Sequence, residues 1–195
     1  MRTRKCVVGI NHLVPLFIML AFLSGLLGGC SQDVARTDAP PIGGTAVDFK
    51  ITSPAFANEV AIPSKYSCDG QNISPPLQWS DPPPGTGSLA LIVDDPDAPA
   101  GTWTHWVVFN ISPDLRELPD NMQAADLGVT IGENSSGHSN YNGPCPPSGT
   151  HHYFFKLYAL DTTLSLDKSA GEKQVLAAME GHILAEADLM GTFSH

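Results

Sequence analysis

Two stretches concentrate side chains that could bind or transfer a charged group. VDDPDAPAGTWTHWVVFNI, Val93 to Ile111, carries the carboxylates Asp94, Asp95 and Asp97 and then His105. YNGPCPPSGTHHYFF, Tyr141 to Phe155, sets Gly143, Pro144, Cys145, Pro146 and Pro147 shortly before the adjacent histidines His151 and His152 and the phenol Tyr153. Carboxylate, imidazole and phenol groups suit acid–base work, and imidazole changes charge near neutrality. Asp clusters also make turns by bonding nearby amides. The run lacks the glycine and distal glutamate of a calcium loop.

Alternation along a strand through Trp103 to Ile111 puts Trp103, His105, Val107 and Phe109 on one face. A histidine among apolar neighbours is also what a satisfied core residue looks like. On a strand from His151, the residues His151, Tyr153, Phe155 and Leu157 share a face, and His152, Phe154 and Lys156 point the other way. The two histidines therefore do not serve one pocket, which argues against a paired-histidine metal site. Zinc would need a third ligand, which Asp95 could supply; no metal and no cofactor is expected. If the strands bearing His105 and His151 are neighbours, two imidazoles, Tyr153 and Asp95 converge at one sheet edge. Gly143 would leave a ligand room to approach the backbone. Pro144, Pro146 and Pro147 fix φ and remove amide donors, so the loop is shaped before binding. The alternative is a stiff connection shielding a sheet edge.

The elements that must position these groups read mainly as strands. Val47 to Thr52 alternates, Ser88 to Val93 is a continuous apolar run suited to a strand covered on both faces, and Trp103 to Ile111 and His151 to Leu160 are aromatic and β-branched. Gly132 to Gly149 is a long aperiodic segment of the kind that carries function. Ala170 to Ala187 shows three- and four-residue spacing of Val175, Ala178, Met179, His182 and Ile183, with Lys168 and Ser169 as candidate caps, and predicts a helix. The tail, Gly191 to His195, is expected to lie near the cleft or to fray. The tally is mainly all-β: an antiparallel two-sheet β-sandwich with a C-terminal α-helix, over residues 47–195.

Ahead of this domain, Arg2, Arg4 and Lys5 precede an apolar run from Val14 to Leu27 and the tetrad Leu27-Gly28-Gly29-Cys30. That run is shorter than the roughly 20 residues of a spanning helix. It resembles a bacterial lipoprotein signal (residues 1–29), which implies lipidation of Cys30 and a tether over residues 30–46. Ser31 then favours the outer membrane, facing the periplasm, if the cell is Gram-negative; otherwise the outer face of the plasma membrane is expected. Acyl chains contribute roughly 0.8 kcal/mol per buried CH₂, enough to anchor without a spanning segment. Loss of the signal removes three of ten basic residues and none of twenty acidic ones. So acidic a surface is repelled by nucleic acid, which is excluded as a partner. Cys68 and Cys145 remain, and an oxidising envelope permits a bridge whose geometry spacing cannot decide.

The segments SCDGQNISPPLQW, DDPDAPAGTWTHWVVFNI, YNGPCPPSGTHHYFFKLYALD and EGHILAEADLMGTF, in that order, resemble the bacterial, Raf kinase inhibitor-like branch of the phosphatidylethanolamine-binding proteins. The resemblance implies a two-sheet sandwich whose small cleft takes phosphate, acetate, cacodylate or a phospholipid head group. By motif position it makes Asp95 the pocket carboxylate, His105 and His151 the pocket histidines, Tyr153 the phenol and Trp103 the rim. Gly143 and the run from Pro144 through Pro146 to Pro147 become the cleft wall. His152 stands where relatives often carry arginine. The implied function is binding rather than catalysis: an envelope-anchored receptor for a small anion or head group, modulating a kinase or protease partner. Its anion affinity should strengthen as pH falls through about 6.5. The competing reading is a hydrolase using the same Asp, His and Tyr as acid and base. It lacks a nucleophile, since no GxSxG elbow is present and Cys145 sits between prolines.

Overall fold

A computed structural model describes residues 48–195. The signal expected over residues 1–29, the tether expected over residues 30–46 and the expected lipidation at Cys30 lie outside the described residues. The strands are β1 (Ile51–Thr52), β2 (Val60–Ala61), β3 (Leu77–Trp79), β4 (Ser88–Asp95), β5 (Trp103–Ile111), β6 (Glu117–Leu118), β7 (Thr130–Ile131), β8 (Thr150–Leu160) and β9 (Ile183–Ser194), with short helices α1 (Ala124–Leu127) and α2 (Glu172–Met179). They form a three-stranded sheet in the order β1-β3-β6 and a six-stranded sheet in the order β2-β9-β8-β4-β5-β7. All pairings are antiparallel except β2 with β9, which is parallel.

Every residue of β4 is buried, as its unbroken apolar run requires. Leu89, Leu91 and Val93 face the main core, where they meet Ile51, Leu77, Trp79 and Leu118 of the smaller sheet together with Phe155 and Leu157 of β8. Ala90 and Ile92 face the other way, into a second cluster closed by Val175 and Met179 of α2. Truncating a fully buried leucine such as Leu91 to Ala in a core of this kind costs about 2–5 kcal/mol.

Two expectations are corrected, and one of the two alternatives given for the tail is excluded. The helix predicted over Ala170 to Ala187 is only Glu172–Met179, with Gly171 rather than Lys168 or Ser169 at its N-cap. Gly181, at φ 80°, turns the chain out of it, and Ile183–Ser194 becomes β9. Ala, Glu, Leu and Met between Leu184 and Met190 favour helix, but the period-two burial of Ala187, Leu189 and Phe193 wins through a long ladder with β8. The tail does not fray, because Phe193 pairs with His151 and Ser194 with Thr150. Finally, β5 does not alternate regularly. Val93 pairs with Trp106 and Asp94 with Thr104, so His105 is an extra residue, and a second irregularity between Leu89 and Leu91 coincides with Asn110 at φ 57°. These bulges put Val107 and Phe109 in the α2 cluster, away from the face that Trp103 and His105 occupy.

Candidate functional site

A cavity of about 240 Å³ opens at one end of the main core, where β4, β5 and β8 finish beside the 141–147 loop. The strands bearing His105 and His151 are not neighbours, as β4 runs between them. That intervening strand delivers Asp95, and the three strand ends bring Asp95, Trp103, His105, His151 and Tyr153 to one cavity. Re-aiming by the bulge is what lets His105 share a face with Trp106 and Val108 and still line the hollow.

Each imidazole is pinned through Nδ1. His151 Nδ1 donates to Asp95 Oδ2 at 2.7 Å, and His105 Nδ1 donates to the Asn142 carbonyl at 2.6 Å. Both acceptors lack a proton to give, so the tautomer is Nδ1–H, and Nε2 is the nitrogen each ring has left for a ligand. Asp95 is itself held, since Oδ1 accepts the Asp97 amide at 2.8 Å. Asp97 in turn accepts the amide (2.9 Å) and Nδ1 (2.6 Å) of His152, which lowers its carboxyl below the usual range. His152 thus faces away from the cavity and fixes the Asp95 turn from outside.

Burial is the main reason the His105 imidazole is pushed below its ordinary pKa, against the pull of the Asn142 carbonyl and Asp95. The ring packs edge-on to Tyr153, with centroids 5.2 Å apart. Tyr153 is raised well above a free phenol, by burial first and Asp95 second, so it remains a donor. The Cys145 amide faces the phenol without closing a hydrogen bond, and Tyr153 Oη has no protein partner. A buried hydroxyl left so costs roughly 1–3 kcal/mol unless something else accepts its proton.

The loop wall is stitched to the segment behind it. Tyr141 Oη donates to the Tyr66 carbonyl at 2.9 Å, the Gly143 amide to Asn72 Oδ1 at 2.7 Å, and the Cys68 amide to the Pro144 carbonyl at 3.0 Å. A disulfide joins Cys68 to Cys145 with Cα atoms 5.5 Å apart. Gly143, Cys145, Pro146 and Pro147 face the cavity; Pro144 does not, and serves as an acceptor behind it. Gly143 is glycine for a reason other than ligand access. A Cβ there would lie 2.4 Å from the Tyr66 carbonyl oxygen and 2.7 Å from Asn72 Oδ1. Sequence reading missed Asn142, Asn72, Ala98 and Pro99. Asn142 acts through its backbone carbonyl, which leaves no mark on residue type.

Residues 52–194 match the family model described as phosphatidylethanolamine-binding protein. A UPF0098 protein of Methanothermobacter thermautotrophicus is 56% identical over 142 residues, 71% of this chain and 94% of the relative. Another from Chlamydia muridarum is 48% identical over 150 residues, 74% of this chain and 98% of the relative. Among solved structures, a putative phosphatidylethanolamine-binding protein homologue from Chlamydia trachomatis superposes with a TM-score of 0.72 at 45% identity, covering 75% of this chain and 97% of its own. Escherichia coli YbcL, described as a member of the mammalian family, gives 0.71 at 32%, covering 75% and 98%. The chain belongs to the phosphatidylethanolamine-binding protein family.

Proposed function

We propose that the chain is a receptor for a small oxyanion, either free phosphate or the phosphodiester of a phospholipid head group. The observation that carries this is a buried trio of groups, each lacking a protein partner on the side left for a ligand: Nε2 of His105, Nε2 of His151 and the Tyr153 hydroxyl. Tyr153 donates to a phosphoryl oxygen. Each Nε2 becomes a donor on taking a proton, and the anion supplies the charge that makes protonation favourable. Asp95 stabilises His151 in that state and stands close enough to the cavity to meet an ammonium group, so a zwitterion such as phosphoethanolamine uses both signs. Anchored through Cys30, the domain would sample head groups at the envelope surface, with occupancy altering its grip on a kinase or protease partner.

Among the described residues no serine, threonine or free thiol lines the cavity, Cys145 being in the disulfide, so a hydrolase there would have to use an imidazole, Asp95, Tyr153 or water as its nucleophile. Calorimetric titration with glycerophosphoethanolamine and, separately, inorganic phosphate tests the reading. Saturable binding of at least one, weakened about tenfold or more in His151→Ala, is the expected result. No heat from either ligand, or turnover of a phosphodiester that vanishes in Asp95→Asn, would sink it.

A further inference from the structure

Around the disulfide four side chains come together, one of which, Cys145, also lines the cavity. The β8–β9 ladder ends with Thr150 opposite Ser194, which carries His195 to the Cys68–Cys145 bridge. The Phe193 ring packs against that imidazole at 6.1 Å between centroids. His195 Nε2 lies 3.8 Å from Cys68 Sγ and 3.1 Å from Asp69 Oδ1, and Cys68 Sγ lies 4.0 Å from the same carboxylate oxygen. The ligand atoms of Cys68, Cys145 and His195 all fall within 4.8 Å of one another, and these residues are exposed.

Those spacings are close to the edges of a tetrahedron. Bond lengths to zinc of about 2.3 Å for sulfur and 2.0–2.2 Å for nitrogen and oxygen put S···N and S···O at about 3.6 Å, N···O at about 3.4 Å and S···S at about 3.8 Å. Three edges are therefore present to within a few tenths of an ångström. The fourth ligand, Cys145, lies within 4.8 Å of the Cys68 and His195 ligand atoms, but Asp69 is not in that group, so Cys145 must leave the sulfur bond and turn toward the carboxylate. With Cα atoms 5.5 Å apart, rotation of the two side chains covers that separation.

We propose that the dithiol form of this protein binds a zinc ion through Cys68, Cys145, His195 and Asp69, and that the metal replaces the disulfide as the staple of the cleft wall. A dithiol reductant gives two electrons and two protons to the Cys68–Cys145 bond and leaves as its own disulfide. The two thiols then release their protons to solvent as zinc binds the sulfurs. Two thiolates, one imidazole and one carboxylate make a closed set of four, the pattern of a structural rather than a catalytic site. Either crosslink joins the Ser64–Cys68 turn to the loop that lines the cavity, so the wall keeps its anchor in both redox states.

The test uses the purified chain, reduced with a water-soluble phosphine, freed of reductant under argon and shown by thiol titration to have released both thiols. Cobalt(II) is added as the probe, followed by zinc in competition. The expected result is a thiolate-to-cobalt charge-transfer band with tetrahedral d–d absorption at one equivalent, absent from the oxidised protein and displaced by zinc. His195→Ala and Asp69→Asn, both at exposed positions, should each weaken zinc by at least about tenfold, the lower end of what loss of even a supporting partner costs. Absence of the band overturns the proposal. So does a band indifferent to both substitutions, and so does an unfolding on reduction that zinc fails to reverse in near-ultraviolet circular dichroism.

Discussion

Tyr153 places a polar atom in the interior with nothing from the protein to bond it. The folded chain gains little from that hydroxyl, whereas a bound anion would gain a donor of the kind worth about 1.5–3 kcal/mol to a charged acceptor. Tyr153→Phe should therefore leave stability in urea unlowered and raise it by up to about 1–3 kcal/mol, while weakening glycerophosphoethanolamine about tenfold or more. Equal losses in both measurements would mean that Oη works for the fold instead. His105 gives a second test. Its folded pKa lies below the unfolded value, so between the two the unfolded chain holds more protons and stability rises with pH. Urea stability should fall as pH drops below about 6.5 and level off below the folded pKa, a slope missing from His105→Gln once the shared carboxylate titrations are subtracted. The proposed anion binding should act oppositely. A phosphodiester keeps its charge across this range, so affinity that climbs from about pH 8 to about pH 5 reports imidazole protonation, and the depressed His105 moves the climb below the ordinary histidine window. Flat affinity would remove the imidazoles from the binding chemistry.

Among the elements, β4 decides the most, because its two neighbouring carboxylates leave on opposite faces. Asp95 enters the cavity, and Asp94 goes to the α2 side, where Lys156 Nζ bonds its Oδ2 at 2.5 Å. Burial raises the Asp94 carboxyl above its ordinary value, Lys156 works against that, and Asp94 Oδ1 has no partner. Lys156→Met leaves a buried carboxylate alone and should cost about 2–4 kcal/mol near neutrality, allowing for the partial exposure of the lysine. Because Asp94 then titrates still higher, the loss should shrink as pH falls through its folded pKa. The double change Asp94→Leu with Lys156→Met should recover most of the loss, and chemical denaturation of all three proteins decides. At this scale the chain shows which parts of a site are legible. Asp95, His105, His151 and Tyr153 could be picked out because their side chains line the cavity and their strands read plainly. The bulge at His105 could not, since one inserted residue changes the phase of β5 without changing its composition. Nor could β9, whose residues favour helix locally and take strand geometry only because β8 is there to pair with them.

Seen whole, the molecule holds its cavity between a rigid sheet and a loop with almost no regular structure, and the Cys68–Cys145 bridge is the covalent tie between that loop and the segment behind it. The bridge closes a sequence separation of 77 residues. Loop-closure entropy for a ring of that size corresponds to about 4.5 kcal/mol removed from the unfolded state. Reduction without metal should thus lower the calorimetric midpoint by about 9–18 °C, at about 2–4 °C per kcal/mol for this chain length. The effect on the cavity should be larger than the midpoint suggests. Three hydrogen bonds still hold the wall after reduction, from Tyr141, Gly143 and Cys68, but each can open separately, and Cys145 is then free to turn its thiol toward the cavity. Head-group affinity measured well below the melting range should therefore drop on reduction even though the sheet is intact. Where zinc takes the place of the sulfur bond, midpoint and affinity should both return, the first by mass action on the folded state and the second because the wall is anchored again. Recovery of the midpoint without recovery of affinity would show that the metal staples the turn without restoring the cavity, and would separate the stability of this fold from the shape of its site.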